Sequence, residues 1–225
     1  MHPFPPTPGR ALGLLLVGIL CACGPLTAPT PAPLKVHATS SAFPWLSVAY
    51  DCAPASSVIV LTDEADADVV FRLSEPHELA GPAFQIGSDD LVVITHPQVG
   101  VGSLPLSQVE ALFSGQFLNW NEVGGSDQGV QVWVYAPGVD VEVYFDRIVL
   151  HDRPVSSLAR LAVSAQHMSD SVGAVPGSIG FLPRRWKAGN TREAMTVGSV
   201  PVLAIPRETP QGALASLISC MQTSK

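Results

Sequence analysis

The chain has 225 residues, a formal net charge of −7, 47% hydrophobic residues and only 14% charged ones. That hydrophobic share is ample for a core and excludes a chain disordered by composition. The acidic balance argues against a nucleic-acid binder, which needs cations to neutralise phosphates.

At the N-terminus Arg10 is followed by the apolar run Ala11 to Leu20 and then by Leu20-Cys21-Ala22-Cys23. The run is about ten residues, whereas a helix crossing a bilayer needs roughly 20, so it suits an export signal better than a permanent span. Leu-Cys-Ala-Cys resembles the bacterial lipobox, which makes Cys23 the lipidated first residue of the processed chain. Cys21 is the weaker candidate, because the bulky Leu20 would directly precede the cut. The alternative is an ordinary cleaved signal with two incidental cysteines. Residues 1–22 are thus read as a signal and 23–33 as a proline-rich tether, extended at about 3.1 Å per residue and spanning roughly 30 Å. The folded part begins at residue 34, and its length fits one large domain or two lobes of about 100 residues each.

From there β-rich and helical runs alternate with no internal repeat, which predicts an α/β fold. Lys35 to Thr39 reads as a strand. A helix follows from Phe43 to Cys52, with Trp45, Val48, Ala49 and Cys52 on one face, Ser41 as its N-cap and Pro44 in its first turn. Val58 to Leu61, Val69 to Leu73 and Leu91 to Thr95 read as buried parallel strands. Ser107 and Glu110 form a capping-box pattern ahead of Val109, Leu112 and Phe113, and Gly115 closes that helix. Val130 to Tyr135 is a strand, and Asp140 caps a helix with Val141, Tyr144, Phe145 and Ile148 on one face. Further helices are expected over Ser157 to Ser164 and His167 to Ala174, and short strands over Ser178 to Leu182 and Pro201 to Ile205. The last helix starts at Thr209, with Pro210 in its first turn, and aligns Leu214, Leu217, Ile218 and Met221.

The stretch Leu106 to Gly125, LSQVEALFSGQFLNWNEVGG, carries a helix, a Phe-x-Gly turn, an Asn-Trp step and a Gly-Gly loop. This resembles the phosphate-binding-protein-like family of ABC-transporter solute-binding proteins. DLVVITHP (Asp90 to Pro97) and AVPGSIGFLP (Ala174 to Pro183) resemble the strands that leave and re-enter the first lobe. The resemblance implies a two-lobed periplasmic-binding-protein fold of type II with a discontinuous first lobe: 34–90 and 184–225, with 91–183 inserted as the second. It also implies that the first and last helices pack in one lobe, so that Cys52 and Cys220 form a disulfide, a bond that export permits. The motif residues themselves have plain structural readings. Asn119 and Asn121 suit turns, Gly115, Gly124 and Gly125 permit positive φ, and Trp120 packs beneath the turn.

In such folds a small anion sits against helix N-termini. By resemblance Thr39, Ser40 and Ser41 are the first anion-contacting loop, or else simply a capping segment. Phosphate-binding relatives place Ser-Gly-Thr where this chain has Val139-Asp140-Val141, preceded by Gly138. Two hydroxyl donors are missing and a carboxylate stands in their place. The cation that commonly precedes this loop is missing too; Arg72 is the candidate replacement, or a solvated surface arginine.

The sequence carries no sign of catalysis. The six histidines form no H-E-x-x-H pair, Gly177-Ser178-Ile179-Gly180 is a turn rather than a nucleophile elbow, and no phosphate-binding P-loop occurs. Arg184, Arg185, Lys187 and Arg192 surround Trp186 as the one basic cluster, read as a solvated loop or as a contact for a partner or anionic lipid. The expected protein is therefore an exported, lipid-anchored, monomeric binding module of the cell envelope without cofactor. It would hold a small ligand, an oxyanion foremost, for an ABC permease, or serve as a sensor or scaffold that kept the fold and lost the phosphate site.

Overall fold

The computed structural model describes residues 1–2, 32–79 and 81–224. The expected signal, tether and Cys23 thus lie outside the described residues, apart from the first two and last two positions of that stretch. Among the described residues no helix is long and apolar enough to cross a membrane.

Alternating burial at Leu34, Val36 and Ala38 makes Ala32–Ala38 a half-buried strand (β1). The chain then turns through a 3-10 segment, Ser40–Trp45, into a short helix, Leu46–Cys52 (α1). Ser41 is therefore not an N-cap: it lies inside the 3-10 turn, because Pro44 falls where a longer α-helix would need its N–H. β2 (Ser57–Leu61) and β3 (Val69–Leu73) flank β1 in parallel, with Val36 opposite both Leu61 and Val69; β2 is not the buried strand expected, since it lies at the sheet edge and leaves Val58, Val60 and Leu61 exposed.

Two strands are far longer than their apolar cores suggest. β4 runs Phe84–Thr95 and β8 runs Arg192–Pro206, where the sequence pattern marks only Leu91 to Thr95 and Pro201 to Ile205. They pair antiparallel along their length, so Leu91 to Thr95 is not the parallel strand expected, with register shifts at Gln85/Gly87, Leu91/Val92 and Val93/Ile94. The polar stretch Gly87 to Asp90 hides β4, yet its backbone remains in the ladder. β8 also pairs with β3, and β4 with β7 (Ser178–Pro183). β5 (Gln131–Val134) and β6 (Arg160–Leu161) complete the sheet, in the order β2-β1-β3-β8-β4-β7-β5-β6. β4 and β8 thus join a half built on β1, β2 and β3 to a half built on β5, β6 and β7. The expected boundary at 90/91 falls inside β4, and that at 183/184 at the end of β7.

The second half holds α2 (Leu106–Phe113), α3 (Asp140–Phe145) continued by a π-helical turn over Asp146–Leu150, and α4 (Ala165–Ala174). The expected helix over Ser157 to Ser164 is absent: Arg160 and Leu161 instead add an edge strand beside Trp133 and Val134, and Ser164 caps α4 by accepting from the His167 N–H at 3.1 Å. The Ser107/Glu110 capping box is not formed either. Pro105 precedes α2, and Glu110 pairs with Arg153 at 2.5 Å. A capping box does occur one motif later, where Asn119 and Glu122 bracket the turn Trp120–Val123. Gly115 and Gly124 have φ of 76° and 82° as expected; Gly125 is required for room instead, since a Cβ there would meet the Val99 carbonyl at 2.8 Å. Trp120 is fully buried and its Nε1 donates to the Gly177 carbonyl at 2.8 Å. Phe113, Phe145, Phe181 and Tyr135 form the aromatic centre of this half, with Phe145 and Phe181 stacked at 3.8 Å.

α5 (Gly212–Thr223) returns to the first half and buries Leu217, Ile218 and Met221; it starts at Gly212 rather than Thr209. Its Cys220 is bonded to Cys52 at the end of α1, with Cα atoms 5.6 Å apart, as expected.

Candidate functional site

The turn after β1, the end of β3 and the first turn of α3 converge on one side chain. Asp140 is the first residue of α3, 3% exposed, and its carboxylate leaves the helix to reach the other half of the sheet. Its Oδ2 accepts from the Thr39 hydroxyl at 2.7 Å and from the Leu73 N–H at 2.9 Å. Its Oδ1 accepts from the Val141 N–H at 2.9 Å. Its backbone carbonyl accepts from the Ser74 hydroxyl at 3.2 Å. Ser74 is buried and holds φ 57°, a left-handed conformation uncommon for a residue with a side chain.

One hydroxyl and two backbone N–H groups, one of them in the first turn of a helix, are the donors a desolvated oxyanion needs. Here the anion is part of the chain. The sequence places Asp140 as a helix cap, but Val139 is the N-cap residue and Asp140 spends only Oδ1 on its own helix. Oδ2 ties the halves together.

Of the sequence-derived site residues, Thr39 and Asp140 are brought into contact. Among the described residues Ser40 is half-buried with no side-chain hydrogen bond, and the Ser41 hydroxyl is buried without a partner while its carbonyl accepts from Trp186 Nε1 at 3.2 Å. Gly138 adopts φ 91° on the rim of a neighbouring cavity. Arg72 makes no ion pair or hydrogen bond to Asp140 among the described residues, and its Nε is buried without a partner. Two of the four cations of the basic cluster are engaged within the chain. Arg184 bonds Asp90, Glu193 and Thr196, and Arg185 lies over the Trp45 ring at 4.5 Å with its Nε 3.7 Å from Asp89.

Sequence reasoning missed the donors from Leu73 and Ser74 and the pair Tyr135 and Glu142. Leu73 contributes a backbone group, which no side-chain pattern can reveal. Glu142 is 9% exposed and its Oε2 accepts from the Tyr135 N–H at 2.8 Å. Burial pushes its carboxyl up to about 7, the Tyr135 N–H works against that shift, and the charge of Asp146 adds to it. Burial, with Asp140 and Glu142 nearby, also holds the Tyr135 phenol well above its ordinary range, and that hydroxyl has no partner among the described residues. Beside this cluster lies a cavity of about 640 Å³ that runs from Pro137 along α3 to Val155, with His77 of the first half on its wall. Among the described residues no group of three or more His, Cys, Asp or Glu could hold a metal ion.

No family model matches the chain. Its architecture is similar to that of a protein assigned as a phosphate ABC transporter substrate-binding protein, solved with bound phosphate, from Clostridium perfringens. The TM-score is 0.73 at 17% identity, over 84% of this chain and 92% of that one. An ABC-type phosphate transport receptor from Vibrio cholerae gives 0.66 at 15%, over 84% and 93%. The regulatory domain of an OxyR2 variant from Vibrio vulnificus gives 0.62 at 11%, over 85% and 97%. At these identities the likeness establishes the fold: two α/β lobes of the periplasmic-binding-protein type II architecture, which transport receptors and regulatory domains share.

Proposed function

We propose that this chain is an exported, lipid-anchored module of the cell envelope, a sensor or scaffold rather than an enzyme or a phosphate carrier. The observation that carries the reading is the Asp140 carboxylate, which takes a hydroxyl and two backbone N–H donors at the interlobe position where a bound oxyanion would need them. A second anion there would meet a like charge a few ångströms away, at a cost of about 4 kcal/mol for an effective dielectric near 20, and would find the donors already taken. The disulfide fits an oxidising compartment outside the cytoplasm. The Leu20-Cys21-Ala22-Cys23 stretch supports anchoring through Cys23.

A second reading is supported by the fold's likeness to phosphate transport receptors: delivery of a small ligand to an ABC permease. Calorimetric titration with phosphate at neutral pH separates the two. No saturable heat is expected from the natural chain, whereas the triple variant Val139→Ser, Asp140→Gly, Val141→Thr should gain phosphate binding. Sub-micromolar affinity in the natural chain would return the protein to phosphate transport.

A further inference from the structure

Three of the four tryptophans give their indole N–H to an acceptor: Trp120 to the Gly177 carbonyl at 2.8 Å, Trp133 to the Ser178 hydroxyl at 3.1 Å and Trp186 to the Ser41 carbonyl at 3.2 Å. Trp45 is the exception. It is 5% exposed, and its Nε1 is buried with no acceptor among the described residues. An indole N–H taken out of water without a partner is costly, and a buried tryptophan ordinarily finds one.

Trp45 also walls a cavity of about 790 Å³ in the first half of the fold, between α1, the first residues of β4 and the end of α5. That volume lies within the roughly 300–1,000 Å³ typical of small-molecule pockets. The ring packs on β4 only because residue 87 is glycine: a Cβ there would fall 2.0 Å from the indole. Arg185 lies over the same ring, 4.5 Å from its centroid, and its side chain is 49% exposed. Its one ion-pair contact among the described residues is Asp89, 3.7 Å from Nε and beyond hydrogen-bond length. The wall thus holds two unused kinds of donor, a neutral N–H and a charged planar fork, beside the apolar Val48 and Ile86. Asp51 is the one carboxylate on the wall among the described residues, and it is exposed, so solvent screens it.

We infer that this cavity binds a small organic carboxylate, whose oxygens accept from Trp45 Nε1 and the Arg185 guanidinium and whose apolar body packs against Val48 and Ile86. Nε1 is shut off from solvent in the free chain, so the carboxylate enters as Arg185 moves off the indole. The guanidinium then holds it through two parallel N–H bonds, a geometry that suits arginine and carboxylate. The inference goes beyond the envelope role and does not depend on it, since the cavity shares no residue with the Asp140 carboxylate and its donors.

Calorimetric titration of the full chain with 3-phenylpropionate and with hexanoate tests it, with 3-phenylpropan-1-ol and phenethylammonium as comparisons. Saturable binding of at least one carboxylate is expected, with none of the alcohol or the ammonium. Trp45→Phe keeps an aromatic ring against Gly87 and removes the N–H; Arg185→Gln, at an exposed position, removes the charged fork and carries the test where Trp45→Phe does not fold. Each should weaken the carboxylate about ten-fold or more, as the loss of a hydrogen bond to a charged acceptor does. In proton–nitrogen NMR spectra the Trp45 indole N–H should move downfield on titration while those of Trp120, Trp133 and Trp186 hold still. Failure of both carboxylates to bind, equal binding of the alcohol or the ammonium, natural affinity in Arg185→Gln, or binding that leaves the Trp45 indole signal in place would overturn the inference.

Discussion

Asp140 is a residue whose identity sets what its neighbours can do. With serine and threonine flanking a glycine, the loop before α3 would offer hydroxyls to a guest; with aspartate, it consumes the donors of Thr39 and Leu73 itself. Hydrogen bonds to a charged acceptor are worth about 1.5–3 kcal/mol each, and removing the acceptor leaves the buried Leu73 N–H unpaired. Asp140→Ala should therefore destabilise the domain by about 3 kcal/mol or more in urea unfolding, and Thr39→Val by about 1–2 kcal/mol. A loss below 0.5 kcal/mol for Asp140→Ala, on the order of an ordinary surface substitution, would mean that the carboxylate does not hold the lobes together. The sequence disclosed that a carboxylate stands where hydroxyls were expected. It did not disclose where the carboxylate points, because a helix-capping aspartate and an interlobe aspartate occupy the same position in a one-dimensional pattern.

At the scale of elements, the strands and helices with unbroken apolar periodicity were legible, and those defined by distant partners were not. β1, β2, β3, β5 and β7 carry their own hydrophobic signal. β4 and β8 extend through Gly87 to Asp90 and through Arg192 to Ser199 because each supplies the other's ladder, a long-range effect invisible to a local window. β6 exists only because β5 offers an edge. Within α3 the unforeseen feature is electrostatic. Glu142 has an ordinary carboxyl value of 4.5 and a folded value of about 7, so the unfolded chain gives up its proton first as pH rises. The resulting contribution to stability is complete below about pH 4.5 and is lost as pH climbs through 7; Asp89 and Asp146, also raised by burial, act in the same direction. Glu142→Gln removes the titration and keeps the shape. Its unfolding free energy should match the natural chain near pH 4 and exceed it by about 3 kcal/mol at pH 8. Parallel stability curves for the two proteins across that range would show that Glu142 titrates normally.

For the whole molecule, the two kinds of cross-link act on different parts of the fold. The Cys52 to Cys220 bond joins the ends of α1 and α5, both packed within the lobe that carries β1, β2 and β3, so it closes that lobe on itself. Thr39 with Asp140 spans from that lobe to the other. The disulfide encloses a sequence separation of 168 residues that includes the entire second lobe, and the chain-entropy relation assigns such a loop about 5 kcal/mol, an upper figure because strain and residual structure reduce it. The pairing was legible only through the resemblance, since two cysteines so far apart carry no local signature. Non-reducing peptide mapping should recover the Cys52 and Cys220 peptides as one linked species. Replacing both residues by serine should lower unfolding stability by up to about 5 kcal/mol, yet leave the phosphate titration silent. That separation follows from geometry, because the Asp140 carboxylate bonds to Thr39, Leu73 and Val141, none of which belongs to α1 or α5. Recovery of the two peptides unlinked from folded protein would remove the staple. A gain of phosphate binding in the folded double-serine variant would mean that the lobes communicate through the helices rather than through Asp140.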